Sequence, residues 1–217
     1  MYVLSASISA SQYEISAQSV ERHSGGMTWI ALLIVYLAAV VAVQGEVPIP
    51  IPIVTRAEWN ARPASGPMDS MDSPLPRAVI AHTAGGGCTD DVGCSQQMRN
   101  LQNFQMSRQK FSDIGYHYLI GGNGKVYEGR SPNQRGAFAG ANNKGSLGIA
   151  FIGNFEEQAP SREALDAAKK LLEQAVQQAQ LVENYKLVGH RQVSATRSPG
   201  EALYILLQQW PHWSEQI

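Results

Sequence analysis

Short strands alternating with amphipathic helices predict an α/β domain built on a single sheet. Three observations carry this prediction. Arg77-Ala-Val-Ile-Ala81 and Leu147-Gly-Ile-Ala-Phe-Ile152 are apolar runs of the length that buried strands have. Tyr116-His-Tyr-Leu-Ile120 and Lys125-Val-Tyr-Glu128 flank Gly121-Gly-Asn-Gly124, the strongest hairpin signal in the chain. Residues 161–179 carry apolar side chains at helical spacing.

In chain order, the first apolar run follows Pro74 and Pro76 and reads as a buried strand. With Ser95 as N-cap, Met98, Leu101, Phe104 and Phe111 fall close to one face of a helix. The hairpin comes next, and the largely apolar Leu147–Ile152 is expected near the middle of the sheet. Ser161 caps a second helix with Glu163 in its first turn. Leu165, Ala168, Leu172, Ala175, Val176 and Ala179 form its stripe, and Asp166 can pair with Lys169 or Lys170 outside. Tyr185–Gly189 is a further strand, and Pro199 opens a last helix with Leu203, Leu206 and Leu207 inward. There is no internal repeat.

Composition fits one globular domain with an appended segment: 217 residues, 44% hydrophobic and 16% charged. A net charge of −1 without a basic run argues against nucleic acid as a partner. Residues 1–26 are serine-rich and read as a disordered extension. Met27–Val43 is apolar and uncharged but shorter than the ~20 residues of a bilayer span. Val43 and Gly45 stand where signal peptidase needs small side chains, so residues 27–45 read as a signal peptide, the alternative being a signal anchor. Either reading puts everything after residue 45 outside the cytosol. Alternating prolines make residues 46–54 an extended connector into a domain over 55–217.

Cys88 and Cys94 lie in a glycine-rich stretch of this exported chain. They are expected to form a disulfide fixing a loop beside Ala81-His82-Thr83, the alternative being two free thiols. His82 and His190 each follow a strand directly. They could converge on one sheet edge to make a metal site or ligand groove, or be two unrelated loop histidines.

At this point the motifs resemble a known family. Arg56-Ala-Glu-Trp-Asn-Ala-Arg-Pro63, Ala81-His-Thr-Ala-Gly85, Asp113 through Arg130, Ser146 through Phe155, and Gly189-His-Arg-Gln-Val193 through Ser198-Pro-Gly200 look like peptidoglycan recognition proteins. The resemblance runs from about residue 53 to the end and is strongest to secreted insect members. It implies a mixed sheet with three main helices, related to phage-type N-acetylmuramoyl-L-alanine amidases.

Amidase members of that family bind zinc through two histidines and a cysteine, with a tyrosine and a threonine or lysine assisting. Three protein ligands leave a fourth position for a water that the metal acidifies. On this sequence the three ligand positions fall on Ala81, His190 and Ser198, and the assisting ones on Tyr116 and Thr196. A methyl has no lone pair, and a neutral hydroxyl is a far poorer zinc donor than a thiolate. The resemblance therefore implies a domain that uses no metal cofactor, is not an enzyme, and binds peptidoglycan without cutting it, the alternatives being a zinc-dependent N-acetylmuramoyl-L-alanine amidase and a membrane-anchored peptidoglycan receptor.

The expected ligand groove comprises His82, Thr83, Tyr116, His190 and Thr196. His117 alternates with Tyr116 and so is expected to face away. The family separates diaminopimelate from lysine stem peptides with the loop that here reads Ser131-Pro-Asn-Gln-Arg-Gly-Ala-Phe138. Asn133 and Gln134 occupy the discriminating pair. Ser131-Pro132 and Phe138 depart from a usual Gly-Trp and a usual histidine. Arg130 or Arg135 could meet the extra carboxylate of diaminopimelate. The implied partners are bacterial peptidoglycan and, in Toll- or Imd-type innate immune signalling, other recognition proteins or proteases.

Overall fold

The computed structural model describes residues 50–217. The expected extension, leader and first part of the connector lie outside the described residues.

Six strands form one sheet in the order β1-β4-β3-β5-β2-β6. They are β1 (Ile53–Val54), β2 (Leu75–His82), β3 (Tyr118–Ile120), β4 (Val126–Glu128), β5 (Ser146–Phe151) and β6 (Leu181–Gly189). Only β3 and β4 pair antiparallel, joined through the Gly121–Gly124 turn, so the sheet is mixed as expected. All of β5 is buried, as a strand covered on both faces must be. Strand alternation divides the core. Ala78 and Ile80 of β2 pack with α2 (Arg162–Gln177) and α4 (Glu201–Leu207), while Ala81 packs on the other side with Met98 and Cys94 of α1 (Asp91–Ser107). One short helix, α3 (His190–Val193), continues directly from β6.

The first helix begins earlier than Ser95. Asp90 is its N-cap, and its carboxylate accepts the Gly93 N–H at 2.8 Å. The Cys88–Cys94 disulfide therefore joins the glycine-rich loop to the first helical turn rather than closing a free loop. Of the expected stripe, Met98 is buried and Leu101 packs against the core, but the two phenylalanines do not join them. Phe104 is 53% exposed and Phe111 lies beyond the helix, while Met98, Gln102, Gln105 and Met106 are inside. Two glutamines can be buried because both serve the chain leading into β3. Gln102 donates to Asp113 Oδ1 at 2.7 Å, and Gln105 Oε1 accepts the Gly115 N–H at 2.8 Å. Periodicity counts apolar side chains and misses such a polar clamp.

Ser161 caps α2 as expected, accepting the Ala164 N–H at 3.2 Å. Asp166 pairs weakly with Arg162 at 3.8 Å rather than with either lysine. Leu203 and Leu207 of α4 are fully buried.

Removing the Asp90 carboxylate orphans a helix donor, so Asp90→Ala should lower stability by about 1 kcal/mol. Ser95→Ala should cost less than about 0.5 kcal/mol. Urea denaturation of both variants checks the ranking, and the reverse order would place the cap wrongly.

Candidate ligand groove

β2 and β6 run parallel, with Ile80 opposite Gly189, so Ala81 and His190 are neighbours at the carboxyl ends of two strands. Open α/β sheets gather their ligands at such ends. The loop after α3 folds back over them: Ser198 Oγ accepts the His82 N–H at 3.0 Å. The buried methyl of Ala81, the His190 imidazole and the Ser198 hydroxyl thus share one corner.

His190 is 7% exposed, and its Nε2 lies 2.8 Å from the Phe138 carbonyl. A carbonyl only accepts, so Nε2 carries the proton and Nδ1 presents a lone pair. That Nδ1 is buried with no hydrogen-bond partner among the described residues. Burial lowers the His190 pKa, and the bond to Phe138 opposes the shift.

Phe138 ties the groove together. Its ring stacks on Tyr116 at 5.5 Å and meets His190 and His117 edge-on at 6.1 and 6.2 Å. Its N–H and that of Ala139 both donate to Asn143 Oδ1, at 2.9 and 2.8 Å. The ring lies so close to β5 that a Cβ on Gly148 would collide with it. Sequence reasoning noted Phe138 only as a departure from a usual histidine. Lying in a loop, it has no periodic signal to mark it.

Tyr116 is buried, and desolvation pushes its hydroxyl up to about 12, which keeps it a neutral donor and acceptor. His117 does not face away from it. The regular pleat begins only at Tyr118, so both rings meet Phe138. His117 is nonetheless structural, being fully buried, with Nδ1 accepting the Gly148 N–H and Nε2 bonded to the Gln134 carbonyl.

Other expected groove residues are placed apart. Alternation turns His82 to the opposite side of β2 from Ala81 and Tyr116, where its Nδ1 accepts the Phe155 N–H at 3.2 Å. Burial is the main cause lowering its pKa. Thr83 Oγ1 closes a turn by accepting the Gly153 N–H at 2.9 Å. Thr196 is exposed, and its Oγ1 accepts the Ser198 N–H. Arg130, expected to meet a ligand carboxylate, is 5% exposed, and its guanidinium donates to the carbonyls of Ile114, Asp113 and Arg135. Its three bonded nitrogens tie Arg135 of the Ser131–Phe138 loop to the chain at Asp113 and Ile114.

That loop is strapped from outside by an earlier segment. Met71 N–H donates to the Asn133 carbonyl and Arg135 N–H to the Asp69 carbonyl, both at 2.8 Å. Ser73 Oγ lies 3.2 Å from Asn133 Oδ1, and Arg135 pairs with Asp69 at 3.4 Å. Asn133 is exposed, while Gln134 and Arg135 are half-buried.

A tightly held zinc needs three good donors. This corner offers one imidazole, one hydroxyl already accepting a backbone N–H, and one methyl. Among the described residues no three of His, Cys, Asp and Glu gather where a metal could sit. These residues do not fit a resident catalytic zinc.

Sheet and helices are those of the amidase-like peptidoglycan recognition proteins, and the chain belongs to that family. The family profile described as N-acetylmuramoyl-L-alanine amidase matches residues 71–201. Peptidoglycan-recognition protein SD of Drosophila simulans is 81% identical over 191 residues, 88% of this chain and 100% of the relative. The crystal structure of Drosophila peptidoglycan recognition protein SD matches with a TM-score of 0.76 and 83% identity, covering 76% of this chain and 98% of that one. The ectodomain complex of recognition proteins LCa and LCx with bound tracheal cytotoxin contains a chain matching at TM-score 0.74 and 44% identity, over 76% of this chain and 99% of that one.

Burial lowers the His117 pKa to about 4. The unfolded chain takes up this proton near pH 6.5, while the folded protein resists it until about pH 4. The His117 contribution is therefore complete above pH 6.5 and is lost as pH falls toward 4, on the order of 3 kcal/mol. His82 and His190, also lowered by burial, act in the same direction. Urea midpoints should drop steeply between pH 7 and 4.5, and His117→Gln should flatten that slope. An unchanged midpoint would contradict a buried neutral imidazole.

Proposed function

We propose that this domain is a secreted, non-catalytic receptor for the stem peptide of bacterial peptidoglycan, acting in innate immune signalling of the Toll or Imd type. The observation that carries the reading is the corner of the groove, where Ala81 and Ser198 flank His190 without completing a zinc site. The chemistry left there suits binding. His190 Nδ1 can accept an amide N–H, the Tyr116 hydroxyl can donate to a carbonyl, and the Phe138 ring gives methyl groups an apolar face. Asn133, Gln134, Arg135 and Thr196 keep some exposed surface and on this reading would meet the ligand's polar edges. Arg135 is the cation best placed for a carboxylate, since Arg130 is committed to carbonyls. The related ectodomain complex of recognition proteins LCa and LCx, to which tracheal cytotoxin is bound, supports both the ligand class and recognition proteins as partners.

Titration calorimetry against defined diaminopimelate-type and lysine-type muropeptides tests the reading. Saturable binding of at least one, independent of added zinc, is expected, and Tyr116→Leu should weaken it at least tenfold. Binding only when zinc is added would overturn it. A second outcome concerns the corner itself. Ala81→His with Ser198→Cys should give stoichiometric zinc by elemental analysis, because it supplies the missing imidazole and thiolate. No zinc uptake by the folded double variant would detach these positions from a metal site.

A further inference from the structure

On the face of the sheet opposite the groove, α2, β6 and the segment after α4 border a half-open cavity of about 400 Å³. Its walls are aromatic and aliphatic, formed by Leu172 and Val176 of α2, by Trp210, and by Tyr185 stacked on His212 at 4.3 Å. That volume lies within the range of small-ligand sites.

Three features set its chemistry. First, Glu173 and Glu183 both line the cavity and both are exposed. Neither forms an ion pair with another described residue. Second, Tyr185 is 5% exposed and lines the cavity, yet its hydroxyl makes no hydrogen bond to another described residue. The oxygen itself is solvent-accessible and so is free to bond a donor from outside the chain. Third, the site already attracts a cation. Lys169 and Glu173 are four apart on α2, a spacing that suits an ion pair. The Lys169 ammonium instead lies 5.2 Å from the centre of the Trp210 ring. Aromatic faces beside carboxylates hold organic cations through ring quadrupole and charge together.

We propose that this cavity is a second binding site, for an organic ammonium or guanidinium carried on an apolar body. The cationic head sits between the Trp210 face, the Tyr185 hydroxyl and the two carboxylates, and the apolar body packs on Leu172 and Val176. Lys169 is a built-in competitor that holds the aromatic face and must swing out to solvent when a ligand arrives. The site rests on none of the groove residues, so it stands or falls independently of peptidoglycan binding.

The test is a nuclear magnetic resonance titration of the ¹⁵N-labelled protein, followed at the Trp210 indole and the amides around Tyr185. The probes are n-butylammonium, n-butanol as its neutral counterpart, and the peptide acetyl-Leu-Lys-Leu-amide. Saturable shifts with butylammonium but not butanol are expected, with Glu173→Gln/Glu183→Gln weakening binding about tenfold and Lys169→Gln strengthening it at least threefold. All three substituted residues are exposed, so the variants should fold. If the peptide binds more tightly than butylammonium, the ligand is a basic side chain of a partner protein. If only butylammonium binds, it is a small amine. Equal responses to butanol and butylammonium, no saturable shift with either cation, or unchanged affinity in Lys169→Gln would overturn the proposal.

Discussion

The hydrogen bond from the His82 N–H to the Ser198 hydroxyl joins residues 116 positions apart in the chain and closes the loop after α3 over the ends of β2 and β6. Everything distinctive about the groove follows from what meets there. A buried backbone N–H left unpaired costs about 1–3 kcal/mol, and Ser198 removes that cost at this strand end. The same oxygen is thereby engaged as an acceptor rather than held ready for a metal. With Ala81 contributing a methyl, the corner keeps a single strong donor atom, His190 Nδ1.

That donor is aimed by packing and not by charge. Phe138 supplies the carbonyl that fixes the His190 tautomer and the ring that stacks on Tyr116. Its position depends in turn on a glycine at 148 and on Asn143 bonding two successive backbone N–H groups. Tyr116 is held from the other direction. Asp113, 2% exposed, accepts from Gln102, from the Ile114 N–H and from Arg56, which anchors the chain that delivers Tyr116 to the groove. Such polar groups are tolerated in the interior because nearly every donor and acceptor has its partner. A groove built this way presents fixed hydrogen-bonding atoms to a ligand with little ordering still to be done on binding.

Much of this was legible in the sequence. β2, β5, the glycine-rich hairpin and the Ser161 cap leave strong local signals in the form of apolar runs, turn residues and a capping hydroxyl. The convergence of Ala81, His190 and Ser198 could be anticipated only through the family resemblance, since positions so far apart carry no shared period. Two kinds of feature escaped. Local features were missed where polar residues do interior work: Gln102 and Gln105 on the buried face of α1, and Arg130 holding three carbonyls. Directional features were missed where the regular pleat had been assumed to extend too far, as at His117. His82 was expected in the groove, and strand alternation sends its ring to Phe155 instead.

The central claim is that this groove holds peptidoglycan without cutting it. The most direct measurement incubates the native protein with a muropeptide and added zinc, then follows both complex formation and the lactyl–peptide amide bond by mass spectrometry. The account predicts a bound ligand recovered intact after prolonged incubation, at a level matching a protein-free control. Multiple-turnover release of free stem peptide would contradict it.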